Sequence, residues 1–140
     1  EIMPSLVGSE MCIRDRCVKL VVERATQDEL DGLAPMLDAI KDAKTDQEGA
    51  EATFQFHHAL SVLSRNTFLP LLYNSIHGYG LHFWSLYRER YGANRLYQNK
   101  LELYRALLDR DAERAQAFTS DMLDGVVNGT FSLYSHPNQT

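Results

Sequence analysis

Between Leu30 and Ile40 the apolar positions fall at Leu30, Leu33, Leu37 and Ile40, the single stripe of an amphipathic helix. Thr26-Gln27-Asp28-Glu29 stands just ahead of that stripe. A threonine hydroxyl and a glutamate three residues on can satisfy the first free amides of a helix reciprocally, so this capping box predicts the start. Pro35 inside the pattern predicts a kink, and the stripe ends where Lys41 to Thr45 turn polar. Upstream, Cys17 to Arg24 is apolar at positions 17, 18, 20, 21 and 22. That is more than one helix face needs, which predicts the buried end of a longer helix, with a strand as the alternative.

Asp46 to Glu51 reads as an acidic connection, and Ala52 to Ser64 as a helix with Phe56, Leu60 and Leu63 on one face and Thr53 and His57 beside it. Asn66 either closes that helix in a left-handed conformation or caps the next one. Phe68 to Tyr91 is apolar nearly all round, the pattern of a central helix, with Pro70 tolerated in its first turn. Gly78 and Gly80 each cost about 1 kcal/mol of helix propensity relative to alanine, so a close backbone approach or a kink is expected there. Gly92 ends the segment. Arg95 to Leu108 carries Leu96, Leu103 and Leu107 on one side. Asp111 then caps a last helix through Ala115, Phe118, Met122 and Val126 to about Leu133. No stretch alternates convincingly, so the expected fold is all-α, an antiparallel bundle of about six helices.

Composition narrows the reading. The chain has 140 residues, 44% hydrophobic and 24% charged, which suits one compact domain. Glu1 to Arg16 has neither helical nor strand period, and SLVGSEMCIRDR looks like translated sequencing-adapter read-through. The expected domain is therefore 17–134, short of its own upstream sequence, with 1–16 foreign or disordered and 135–140 a disordered tail. A net charge of −5 disfavours direct nucleic-acid binding by this chain. No secretory signal or apolar run of roughly 20 residues is present, so a cytoplasmic location is expected. Cys12 and Cys17 form no C-x-x-C pair, which excludes a disulfide scaffold or zinc ribbon.

Catalytic motifs are missing: there is no G-x-S-x-G, no Walker lysine loop, no H-E-x-x-H and no repeated E-x-x-H. His57 and His58 are adjacent on a helix and point roughly 100° apart, so they do not share one site. Thr53 and His57, one turn apart, both reach the bundle interior. His57 is either a satisfied core histidine or a ligand contact. His77 is a candidate second ligand or an ordinary pocket-lining or surface residue, and a stand-alone helical metalloprotein or enzyme using His57 and His77 is the alternative function. The tyrosines, Tyr87 and Tyr104 among them, gather with Trp84 either around an internal cavity or as plain core. Gly125 and Gly129, one turn apart, admit a ligand or a neighbouring backbone.

Glu23-Arg24-Ala25-Thr26 with Glu29-Leu30, Phe56-His57 before Leu60, Asn66, and Leu107 ahead of Asp111-Ala112-Glu113 together resemble the effector-binding domain of GntR-superfamily regulators, in their FadR branch. The resemblance covers roughly Val18 to Phe131. It implies a dimeric all-α domain that follows a winged helix-turn-helix and reports ligand binding to operator DNA through it. Many relatives hold a divalent metal with an aspartate and three histidines. The corresponding positions here are Thr53, His57, Lys100 and Asp121 or Met122, which implies no metal and no cofactor. Asn66-Thr67-Phe68, Leu72-Tyr73-Asn74-Ser75 with Gly78, Tyr87, Leu101 to Tyr104 and Gly125-x-x-x-Gly129 are similar to the acyl-CoA-responsive members. That similarity implies a pocket lined by Tyr87 and Tyr104, with Gly125 and Asn128 near the CoA portion, although Gly80, Val127 and Ser132 depart from the pattern. The expected protein is a non-enzymatic sensor of an acyl-CoA or small organic acid, held by Thr53, His57, His77, Tyr87, Tyr104, Met122, Gly125 and Asn128.

Overall fold

The computed structural model describes residues 15–127. The described residues are helical with short connections. Helix α1 covers residues 15–24, α2 Gln27–Asp31, α3 Ala34–Asp42, α4 Asp46–Leu63, α5 Phe68–Ser75, α6 His77–Tyr91, α7 Ala93–Leu108 and α8 Ala112–Val127. The all-α bundle expected from the periodicity is what forms. Two of the expected helices are each broken once: α2 and α3 make up one, α5 and α6 the other.

The local chemistry explains the boundaries. Thr26 Oγ1 accepts from the Glu29 amide and Glu29 Oε1 from the Thr26 amide, at 3.1 and 2.9 Å, closing the capping box. Pro35 lies in the first turn of α3, where its missing N–H costs little, so the kink becomes a break at Gly32 and Leu33. The acidic stretch is a correction: Asp46 to Glu51 is helix, because Thr45 Oγ1 accepts from the Glu48 amide at 3.1 Å and Asp46 and Glu48 complement the positive end of α4. Arg65, not Asn66, takes the left-handed conformation (φ 57°). Asn66 Oδ1 instead accepts from the Phe68 amide at 2.9 Å and leads into α5. Gly92 ends α6 at φ 98°, and Asp111 Oδ1 caps α8 through the Arg114 amide at 3.0 Å.

Helix α4 packs against α3, α5 and α6, while α7 packs against α3, α6 and α8. The core runs from Val18 and Val21 through Leu30, Leu37, Ile40, Phe56 and Leu60 to Trp84, Leu96, Leu103 and Leu107. Only the α6 half of the long apolar segment is central. On α5, Phe68, Leu71 and Leu72 are 72%, 61% and 44% exposed. Helix α1 takes in Asp15 and Arg16, two residues before the expected start. It is tied to the α7–α8 turn by Arg110, which donates to the Ala25 carbonyl at 2.6 Å. Arg24 donates to the Ser64 carbonyl at 3.0 Å and so satisfies a free carbonyl at the carboxyl end of α4. Among the described residues no helix is long and apolar enough to cross a membrane.

Candidate functional site

The buried face of α4 presents Thr53 and His57, one turn apart and both shut off from water. The Thr53 hydroxyl donates to the Gly49 carbonyl at 2.8 Å, the back-bond open to a threonine inside a helix. The His57 ring lies parallel to the Trp84 indole of α6 at 5.6 Å and to the Tyr73 ring of α5 at 6.5 Å. Phe56 stands edge-on to it at 5.6 Å. Three helices thus place an imidazole inside an aromatic stack.

Helix α7 adds a group the periodicity concealed. Leu96, Leu103 and Leu107 form its apolar stripe, and Lys100 occupies the same stripe, four residues after Leu96 and three before Leu103. It is 0% exposed, and its Nζ lies 4.1 Å from the Trp84 ring centroid. A desolvated ammonium on an aromatic face gains about 2 kcal/mol, whereas removing it from water costs several kcal/mol. The sequence carried a signal for this, a lysine in the middle of a leucine stripe.

Tyr87 extends the aromatic cluster. It is buried, with its ring 5.9 Å from Trp84 and 5.0 Å from Tyr91. Burial pushes its phenol above the ordinary value, partly offset by the Arg95 charge. Tyr104, on α7, is 9% exposed. Burial raises its phenol as well, and the Asp31 charge adds to the effect.

Not every expected residue joins this group: Tyr104 has Asp31 of α2 as its charged neighbour. His77 stands at the surface, 45% exposed, with Nε2 3.5 Å from Glu51 Oε2 and its ring edge-on to Phe54 at 4.6 Å. Its place beside Glu51 sets it apart from the His57 stack. His58 diverges from His57 as the helix geometry requires. It lines a shallow apolar hollow of about 380 Å³ with Leu33, Met36 and Val62, into which none of the eight expected ligand residues projects. Met122 and Gly125 fall on α8, where side chains lie outside the described residues, and Asn128 lies outside them altogether.

The residues at this centre do not fit a divalent cation. A lysine ammonium has no lone pair to donate and repels a metal, and a single imidazole with a back-bonded threonine is too few ligands. Among the described residues no group of three His, Cys, Asp or Glu side chains comes together.

No curated protein matches the chain. Residues 13–125 match the FCD domain, a span that takes in α1 and nearly all of α8 and includes Thr53, His57, Trp84 and Lys100. The chain belongs to the FCD domain family, the carboxyl-terminal effector-binding domains of GntR-type transcription regulators.

Proposed function

We propose that this domain senses a small organic acid or its acyl-CoA ester, held in the bundle interior beside His57, Tyr87 and Tyr104, and that it acts by binding and not by catalysis. The observation that supports this is the burial of an imidazole, a hydroxyl and a cation in one aromatic cluster. Burying such groups asks for more compensation than burying apolar side chains, because each loses hydration. A ligand gripped at that cluster touches α4, α6 and α7 together, so its binding energy favours one arrangement of those helices over others. In a dimeric bacterial regulator of the cytoplasm, that preference passes to a winged-helix domain and changes the spacing of the two DNA-reading units. The acidic net charge of −5 agrees with leaving DNA contact to the other domain.

Isothermal calorimetry and thermal unfolding with hexanoate, citrate and hexanoyl-CoA test the reading. At least one of the three is expected to bind saturably at one site per chain. At a concentration one hundred times its Kd it is expected to stabilise the fold by about 2.7 kcal/mol. A chain that binds none of them and shows no thermal shift refutes the proposal.

A further inference from the structure

We infer that the outer face of α5 is where two copies of this chain meet, pairing about a two-fold axis. The inference goes beyond the sensor reading and stands without any ligand. Helix α5 is apolar on two sides. Leu69 and Tyr73 are buried on the inner one, where Tyr73 stacks on His57. Phe68, Leu71 and Leu72, at i, i+3 and i+4, share the outer one and are 72%, 61% and 44% exposed. A helix that is apolar on two sides is built to be covered on both. The three outer side chains expose roughly 300 Å², the size at which an apolar patch on a monomer is often functional.

Charge and chain path together point to a second copy as the occupant. From Asn66 to Tyr87 the sequence has no Asp, Glu, Lys or Arg. The arginines that bound this run are held within the chain, Arg65 at 2.6 Å from Glu29 and Arg88 at 2.8 Å from Asp46. A charged partner finds no counter-charge on such a face, whereas a two-fold pairing, which sets each group near its own copy, needs none. Neither end of the described chain lies at α5. Arg24, at the carboxyl end of α1, reaches Ser64 just ahead of α5. Residues 1–14 join α1 at its other end, about 15 Å away, where Asp15 meets Gln116 and Thr119. Residues 128–140 follow Val127, at the end of α8 remote from the Arg110 that binds the Ala25 carbonyl. Pairing through the three outer side chains buries roughly 600 Å² from the two copies, short of the roughly 1,000 Å² of a specific interface. Val62, 52% exposed near the end of α4, and the exposed Asn74 and Ser75 are the rim that supplies the rest. An interface of that size dissociates readily, so the pairing is one of micromolar strength.

The test is sedimentation equilibrium of the whole chain over about 1–500 μM. The unaltered chain is expected to show a monomer–dimer equilibrium with a micromolar Kd. Leu71→Glu sets two like charges against each other across the axis and is expected to weaken pairing at least a hundredfold. Its helical circular dichroism is expected to be unchanged, because Leu71 faces water in the single chain. Gln98→Glu adds the same charge at an exposed position of α7 and is expected to leave pairing as it was. Should Leu71→Glu fail to fold, the milder Leu71→Gln takes its place, with an expected loss of about tenfold. A chain that stays monomeric up to the highest concentration overturns the inference and gives the face to another occupant. A dimer that the Leu71 variants leave intact overturns it too, by placing the contact on another surface. Both of those outcomes leave the sensor reading standing.

Discussion

Gly49 offers a sharp test of how the site's scaffold is held. It lies in the first half of α4, one turn before Thr53, with the Arg88 side chain of α6 lying across it. A Cβ at this position would stand 2.5 Å from Arg88 Cδ and 2.7 Å from Nε, well inside contact distance. Arg88 is not at liberty to step aside. Its guanidinium donates to Asp46 Oδ1 and to the Ala43 carbonyl, each at 2.8 Å, and the side chain is only 10% exposed. Helix propensity by itself favours alanine by up to about 1 kcal/mol. Against that, moving Arg88 breaks two hydrogen bonds to a charged donor, each worth about 1.5–3 kcal/mol. Asp46 is 40% exposed and recovers hydration, which places its bond at or below the lower end of that range. The net expectation for Gly49→Ala is a loss of about 1–3 kcal/mol, or a fall of roughly 4–10 °C in Tm. Urea unfolding followed by circular dichroism measures it. The decisive control is Arg88→Ala: in that background the obstruction is gone, and Gly49→Ala is expected to stabilise by about 0.5–1 kcal/mol. If Gly49→Ala destabilises equally in both backgrounds, or stabilises in the presence of Arg88, the Arg88 strut does not hold α4 to α6 as described.

Further expectations concern the other glycines and the titrating groups. Gly78→Ala is expected to raise stability by up to about 1 kcal/mol, since a Cβ there meets nothing within 4 Å. Gly80→Ala is expected to give no such gain, because its Cβ would come 3.0 Å from Phe54 Cδ2 and the ring must yield; thermal unfolding of the pair checks this. The Glu29 carboxyl is held below its ordinary 4.5, first by the Thr26 backbone amide and then by the Arg65 charge. Its contribution is therefore present above that pH and lost as pH falls through the lowered value, so Glu29→Gln is expected to flatten the acid limb of the stability curve in urea titrations. The Tyr87 phenol is raised above 10.0 by burial, so its contribution is complete below that pH and lost as pH rises through the raised value. Tyr87→Phe is expected to flatten the alkaline limb, and an unchanged alkaline limb would contradict the burial of that hydroxyl.

The fold was largely legible because its determinants are local. The Thr26 box, the stripe from Leu30 to Ile40, Gly92 and Asp111 each specify a helix end or face within a few residues. Where the reading failed, a local pattern was outweighed. Asp46 to Glu51 lacks apolar periodicity and contains Gly49, yet Thr45 and Glu48 repeat the same Thr-x-x-Glu spacing as Thr26 and Glu29. The long apolar segment breaks at Ile76 (φ −107°, ψ 16°), ahead of both glycines. No local residue announces that break, which leaves Phe68, Leu71 and Leu72 on an exposed helix instead of a central one.

The candidate site was legible in part. Thr53 and His57 follow from helix spacing, because positions one turn apart share a face whatever surrounds them. Trp84 against His57 and Lys100 against Trp84 are contacts between α4, α6 and α7, and no spacing within one helix encodes them. His77 shows the converse limit. Its residue type suited a ligand, but its position on α6 puts it beside Glu51 at the surface, where Phe54 stands between it and the rings around His57.

The chain contains one tryptophan, and that residue is wholly buried, with the His57 ring parallel to it and the Lys100 ammonium over its indole. Its emission is therefore a local reporter of the interior. Titration with whichever of hexanoate, citrate and hexanoyl-CoA binds by calorimetry is predicted to change Trp84 fluorescence saturably, with a midpoint equal to the calorimetric Kd. Saturable binding that leaves Trp84 emission untouched would place the ligand elsewhere, such as the hollow beside His58, and would contradict an effector site inside the bundle.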